Sequence, residues 1–487
     1  PLGLRLEHEP LLHCAVYLEM TADSMEQLKR LQTDVLTELV RCKLNVDKLL
    51  LRQKQGFCCV SPVRHNALGR EFERVLPAGS VANLYPFNYS GKTDPKGIYI
   101  GKDKYGSNIV VDFDRRESDK TSTNILILGN SGQGKSYLMK LLICNLLEAG
   151  KSVISLDAEH ELEELCGNLG GCFIDLMAGE KRINVLEVRC WDEGDTSEAD
   201  ESVPEAFRKS TLLARHISFL KDFFRAYKDF SDPQLDTIEI MLSKLYQKWS
   251  ITEETDFRQL APEDYPILSD LYALMEEELR HYQAGSLYTR ELLQEVLLGL
   301  HSLCMGADAP FFNGHTNITG DRFLVFGVGG MLTAAKSLRN ALLFNVLAYM
   351  SDRLLTAGNT VAALDELYLW LSNPVAIEYI RNCLKRVRKR DSALLMASQN
   401  LEDFDQEGVR EMTKPLFAIP PHQFLFNPGS IGRRFYMDML QLDEAEFELI
   451  RHARRGECLF KYGAERYLLE VKAPPHKAAL FGTAGGR

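Results

Sequence analysis

Residues 129–136, Gly-Asn-Ser-Gly-Gln-Gly-Lys-Ser, meet the pattern GxxxxGK[ST] in full, and no other feature of the chain restricts its fold as strongly. A loop of this kind works only between a buried strand and a helix. The glycines let the backbone curl so that its N–H groups, together with the positive end of the helix, point at phosphate oxygen. The flanks agree: Asn124 to Leu128 is an apolar strand, and Leu138, Leu141, Leu142 and Leu146 share one face of a following helix before Gly150 ends it. Candidate nucleotide contacts are therefore Gly129, Asn130, Ser131, Gly132, Gln133, Gly134, Lys135, Ser136 and Tyr137. Lys135 is expected to bridge the β- and γ-phosphates, and Ser136 to ligate Mg²⁺.

Short, continuously apolar runs recur from this point: Ile125 to Leu128, Val153 to Leu156, Phe323 to Val328, Val361 to Leu364 and Ala393 to Ala397. Such runs suit strands buried on both faces of a parallel sheet, and helical stretches between several of them predict an α/β class with a largely parallel sheet. Between roughly residues 195 and 305 the strands stop. Ala206 to Tyr227, Pro233 to Trp249, Leu268 to Tyr282 and Thr289 to Leu303 carry helical spacing, which reads as an inserted all-α domain. Asp192 to Glu205 reads as an acidic, mobile loop.

At the start, residues 11–20 look like a strand. Ser24 then caps a helix bearing Met25, Leu28, Leu31, Val35 and Leu39, which gives a small N-terminal α+β piece. Tyr85 to Gly101, rich in Pro, Gly and Asn, reads as a linker. The expected division is residues 1–95 for this piece and its linker, 96–194 with 306–487 for the phosphate-binding domain, and 195–305 for the insertion. The opening Pro1-Leu2-Gly3 reads as a tag scar, with the natural protein starting earlier.

A phosphate loop needs an acidic partner at a neighbouring strand end, and Thr360-Val-Ala-Ala-Leu-Asp365-Glu366 offers one. Asp365 is expected to hold the Mg²⁺ shell and Glu366 to orient and deprotonate the attacking water. Another strand, Ser392 to Ser398, ends in Gln399, which is either a γ-phosphate sensor or a solvated amide. Just before it, Lys385 to Arg390 places five positive charges in six residues. Three readings stand for this cluster: a solvated helix end, a nucleic-acid contact, or Arg388 as an arginine finger reaching a neighbour's nucleotide. Asp157 and Glu159 follow the second strand, where they either order water and Mg²⁺ or cap a helix from about His160.

Composition narrows the class further. The chain has 487 residues, 45% hydrophobic and 26% charged, enough for several domains and a sizeable core. A net charge of −11 argues against a protein that grips nucleic acid over its whole surface, though not against a local basic patch. The 11 cysteines show no zinc spacing and read as reduced, mostly buried thiols. No apolar run approaches the ~20 residues that span a bilayer, so the chain reads as cytoplasmic.

These motifs resemble the VirB/TraC-like ATPases of conjugative type IV secretion systems, within the HerA–FtsK superfamily of RecA-like P-loop motors. The resemblance covers nearly the whole chain. It rests on Pro86-Phe87, Gly97-Ile98-Tyr99-Ile100-Gly101, the phosphate loop, Asp157-Ala-Glu-His-Glu161, Phe312-Asn-Gly-His-Thr316, Asp365-Glu366, Arg388-Lys389 ahead of Ala397-Ser-Gln399, and Arg455-Gly456-Glu457. The chain departs from the family's pattern at Leu162, Val185 and Asn313. The resemblance implies a RecA-like P-loop NTPase domain and ATP with Mg²⁺ as cofactors; no Asn-Lys-x-Asp motif points to guanine. It further implies a hexamer at the cytoplasmic face of the bacterial membrane. Its partners would be inner-membrane components of the secretion apparatus and a coupling protein, and its work apparatus assembly or substrate transfer. The alternatives are a DNA-translocating motor of the same superfamily and a nucleotide-binding scaffold without turnover.

Overall fold

The apolar runs are strands, and each buries alternate residues on opposite faces of one sheet. In the computed structural model the strands are, in chain order, β1 (Leu11–Cys14), β2 (Arg74–Pro77), β3 (Lys92–Thr93), β4 (Ile98–Asp103), β5 (Asn108–Val111), β6 (Ile125–Leu128) and β7 (Ser152–Asp157). They continue with β8 (Cys172–Asp175), β9 (Phe323–Gly327), β10 (Thr360–Leu364), β11 (Ala393–Ser398), β12 (His422–Leu425), β13 (Glu457–Tyr462) and β14 (Glu465–Val471). The structure describes all residues except 1–9, 42, 62–65, 83–90, 190–211, 284, 319, 321, 371–373, 400–409, 430–432 and 484–487. Pro1-Leu2-Gly3, Pro86-Phe87 and the acidic stretch Asp192 to Glu205 therefore lie outside the described residues.

Twelve strands form one sheet in the order β3-β5-β4-β14-β13-β12-β6-β11-β10-β7-β9-β8. From β12 to β8 every neighbouring pair is parallel. The antiparallel pairs β12·β13, β13·β14, β14·β4 and β4·β5 extend that parallel core on one side. The strand period of two explains the two cores. Ile125, Ile127, Val153, Val325, Val361 and Leu395 pack on one face with the helix Lys135–Glu148. Leu126, Leu128, Ile154, Phe326, Leu364 and Met396 pack on the other, with the helices Lys336–Asp352 and Pro374–Arg386.

That second core also takes in the helices Leu212–Tyr227, Asp232–Lys248, Leu268–Arg280 and Arg290–Cys304, through Leu220, Phe223, Leu242, Leu271 and Leu300. Among the described residues, none between β8 and β9 forms a strand. The segments on either side of these helices clasp each other. Asn184 N donates to Thr316 Oγ1 (3.0 Å), and its side-chain amide donates to Pro266 O (2.9 Å). Asn313 Oδ1 accepts from Ser269 N (2.9 Å). These contacts give Asn184 and Asn313 a structural use.

The chain divides into two compact units, residues 1–89 and 90–487. In the first, β1 and β2 pair antiparallel and the helix Met25–Arg41 starts where Ser24 Oγ accepts from Gln27 N (3.2 Å). The strand expected over residues 11–20 is confined to Leu11–Cys14. The linker expected over Tyr85 to Gly101 is corrected: β3 and the start of β4 fall inside it. Gly101 (φ +155°) is a glycine because a Cβ there would stand 2.1 Å from Glu470 O, so it serves close strand approach rather than a loop. All the described cysteines are free, and Cys144, Cys166, Cys304, Cys383 and Cys458 are buried.

Asn124, fully buried at the start of β6, ties that strand to β11. Its amide donates to Leu384 O (3.3 Å) and its Oδ1 accepts from Leu394 N (2.9 Å). Asn124→Ala would strand both partners, and we expect a loss of about 2 kcal/mol in unfolding free energy. Denaturant unfolding followed by circular dichroism checks this; an unchanged midpoint would show that the link contributes nothing.

Candidate active site

Parallel strands put all their carboxyl ends on one edge, and the phosphate loop leaves β6 at that edge. Leu128 lies opposite Ser398 of β11 on one side and Leu425 of β12 on the other. Gly129 (φ +155°) must be glycine, since a Cβ would lie 2.5 Å from that of Phe426. Gly132 and Gly134 sit at φ +73° and +108°, left-handed conformations that complete the curl. The loop is braced from two neighbours: Asn130 N donates to Asn427 O, and Gly456 N donates to Gln133 O, both at 2.9 Å. The Arg455-Gly456-Glu457 segment thus acts as a wall behind the loop. The helix Lys135–Glu148 begins with no side-chain cap, which leaves its first N–H groups for an anion.

Lys135 is buried, and its ammonium donates to Asn130 O (3.1 Å). Burial pushes its pKa down, while the nearby carboxyls of Glu366 and Asp365 oppose that shift. Asp365 and Glu366 follow β10, next to β11, and both are buried. Glu366 takes a left-handed backbone (φ +47°), costly for a residue with a Cβ, and Asp365 Oδ1 accepts from its N–H (2.9 Å). Burial, reinforced by the charge of Glu366 and then of Glu161, pushes the Asp365 carboxyl up to about 8. Burial likewise pushes Glu366 up to about 7, against the pull of Lys135.

Gln399 reaches the same point. Its Nε2 donates to Glu366 Oε1 (2.6 Å), while Glu366 Oε2 is buried without a hydrogen-bond partner. The structure therefore brings together Lys135, Asp365, Glu366 and Gln399.

Other expected residues lie elsewhere. Arg388 is exposed in the turn Val387–Arg390, at the amino end of β11. The six-residue strand between them separates it from Gln399 by roughly 20 Å. The hydroxyl of Tyr137 accepts from Ala473 N (3.2 Å) and its ring meets Phe481 edge-on, so its described contacts are with the C-terminal segment. Asp157 uses both carboxylate oxygens on backbone, accepting from Glu161 N (3.1 Å) and Leu162 N (2.8 Å); it holds a turn ahead of the helix Glu163–Asn168. Glu159 is exposed, yet within electrostatic reach of Glu366.

Sequence reasoning missed Glu161. Its Oε2 is buried without a hydrogen-bond partner, and its charge acts on Lys135, Asp365 and Glu366. The only sequence signal was its place in the segment Asp157 to Glu161. Among the described residues, no three His, Cys, Asp or Glu groups gather closely enough to hold a metal ion by themselves. No helix among them is long and apolar enough to cross a membrane.

A curled loop at a helix start, a buried lysine and two acidic groups at the end of β10, one strand beyond β11, define the class of P-loop nucleotide-binding proteins. Comparison with known proteins narrows it. Residues 98–296 match the family described as helicase HerA, central domain. The solved structure of VirB4 of Thermoanaerobacter pseudethanolicus is 31% identical, with a TM-score of 0.67 over 80% of this chain and 100% of that one. TraC of Escherichia coli K12 is 22% identical over 72% of this chain and 37% of its own length. The conjugal transfer protein TrbE of Rhizobium radiobacter is 28% identical over 29% of this chain and 18% of its own. The chain belongs to the VirB4/TraC-like family of ATPases.

The raised carboxyls fix a pH dependence. Asp365 and Glu366 bind protons more tightly in the folded chain than at their ordinary values of 3.8 and 4.5. Their stabilising contribution is therefore fully present below those values and is lost as pH rises toward 7 to 8. Without metal or nucleotide, a variant carrying Asp365→Asn with Glu366→Gln should melt near the wild-type temperature at pH 4 and above it at pH 8. A melting difference that does not change with pH would contradict the shifts.

Proposed function

We propose that this chain hydrolyses ATP with Mg²⁺ to power assembly of, or substrate transfer through, a conjugative type IV secretion apparatus. The observation that carries the reading is the convergence of Lys135, Asp365, Glu366 and Gln399 at the carboxyl ends of β6, β10 and β11. Family membership and the similarity to TrbE, a conjugal transfer protein, support the biological setting.

In this reading the N–H groups of Gly132 to Ser136 and the Lys135 ammonium take the phosphate oxygens. The residues fit a magnesium ion shared with phosphate: buried, unpartnered carboxyl oxygens stand beside Lys135, and Mg²⁺ commonly takes one or two carboxylates with the rest of its shell from substrate and water. Ser136 and Asp365 would hold the ion, which when bound neutralises charge on the β- and γ-oxygens. Glu366 orients a water and accepts its proton on Oε2 while Gln399 holds Oε1; the water oxygen attacks the γ-phosphorus and ADP leaves.

Arg388 has no route to its own Lys135, since it stands on the opposite edge of the sheet. We assign it to a neighbour's site in a ring, a hexamer at the cytoplasmic face of the membrane with inner-membrane and coupling-protein partners. The division read from the sequence, with 195–305 as an insertion into the ATPase domain, belongs to the same proposal; the helices between Leu212 and Cys304 support it.

Phosphate release from purified protein tests the chemistry. Lys135→Ala and Glu366→Gln should each lower turnover by about 10²- to 10⁴-fold, with circular dichroism unchanged; a Glu366→Gln protein that keeps its turnover would remove Glu366 from the chemistry. Arg388→Ala should hydrolyse poorly alone. It should recover in mixtures with a Lys135→Ala protein that keeps Arg388, and absence of recovery would return this residue to a surface charge.

The match to helicase HerA favours one second reading, a DNA-translocating motor. The net charge of −11 weighs against it. Hydrolysis stimulated by duplex DNA, and falling steeply with salt, would select it. No phosphate release under any condition would leave a nucleotide-binding scaffold.

A further inference from the structure

We propose that Glu161 is the second carboxylate of the Mg²⁺ site, paired with Asp365 around the bound metal's water shell. The inference rests on the reading of the site just given. Three observations carry it. First, Glu161 Oε2 is shielded from solvent and has no hydrogen-bond partner. Glu366, only 6% exposed, leaves its own Oε2 in the same condition. Burying such oxygens unpaired is costly, and two together mark a place built for something that supplies positive charge or donors.

Second, the backbone aims this side chain. Asp157, fully buried at the end of β7, accepts from Glu161 N and Leu162 N, one on each carboxylate oxygen. His160, the residue just before Glu161, is left-handed (φ +57°). A clamped turn with a strained residue holds position 161 in one direction, which a surface glutamate would not require.

Third, the sheet brings this turn to Asp365. β7 pairs parallel with β10, with Leu156 opposite Leu364, and Asp365 N donates to Leu156 O (3.2 Å). The turn that carries Glu161 therefore leaves the sheet beside the metal-holding aspartate. Two carboxylates, with phosphate and water completing the shell, suit magnesium, which seldom uses a cage made wholly of protein.

The test uses the full chain with Mn²⁺ as the probe. Mn²⁺ affinity is measured in saturating ADP by electron paramagnetic resonance, and ADP affinity is measured separately in EDTA. Glu161→Gln should weaken Mn²⁺ binding about tenfold or more and leave metal-free ADP affinity unchanged, with Glu161→Asp intermediate. A merely structural role would lower the two affinities together, and that result overturns the proposal. Asp365→Asn serves as the reference. Wild-type Mn²⁺ affinity in Glu161→Gln beside a clear loss in Asp365→Asn overturns the assignment of Glu161 alone. Wild-type affinity in both variants overturns the metal site itself. Should Glu161→Gln fail to fold, Glu161→Asp carries the comparison, with unchanged Mn²⁺ affinity counting against the proposal.

Discussion

Parallel pairing of β6 with β11 on one side and β12 on the other is the constraint on which the site depends. Because the three strands run in register, Gly129, Gln399 and Phe426 leave the sheet from one line. Phe426 then occupies the space a side chain at 129 would need, and the backbones at Asn427 and Gly456 hold the loop from outside. The loop's shape is thus set by neighbours that lie some 300 residues away in sequence. Its phosphate-binding curl is preorganised before any ligand arrives, which is where such a site gains most of its effect.

The same edge gathers charges that suit one another poorly without a ligand. Burial disfavours the charged forms of Lys135, Asp365 and Glu366 alike, and Glu366 also bears a left-handed backbone that costs about 1 to 3 kcal/mol. Local rules are broken together only where something offsets them, and in the proposed function the offset is a bound polyanion with its cation. The hydrogen bond from Gln399 ties β11 to Glu366, which in the proposed reaction gives a change at the phosphates a short path to that strand. Arg388 lies at the far end of that strand, where the proposed ring would set it against another subunit.

Much of this was legible in the residues, for identifiable reasons. β6, β7, β9, β10 and β11 are buried on both faces and so read as unbroken apolar runs. The helices between Leu212 and Cys304 show their period because one face of each meets the core. The antiparallel flank was not legible. β12 begins with His422 and Gln423, β13 carries Glu457 and Lys461, and β4 passes through Gly101, whose glycine looks like a loop until Glu470 O is seen against it. Within the site, Lys135, Asp365, Glu366 and Gln399 could be placed because each follows a recognisable strand. Glu161 could not, since its aim depends on a turn clamped by Asp157. The uses of Asn184 and Asn313 depend on contacts with Thr316, Pro266 and Ser269 that no local pattern encodes.

The central claim is that one ligand is held jointly by the loop after β6 and by the ends of β10 and β11. Amide hydrogen exchange with and without a non-hydrolysable ATP analogue and Mg²⁺ measures this directly. The account predicts slowed exchange in peptides covering residues 129–138, 364–367 and 397–399 together, with the helices of 212–304 little changed. Protection confined to residues 129–138, or appearing only away from the carboxyl edge of the sheet, would contradict it.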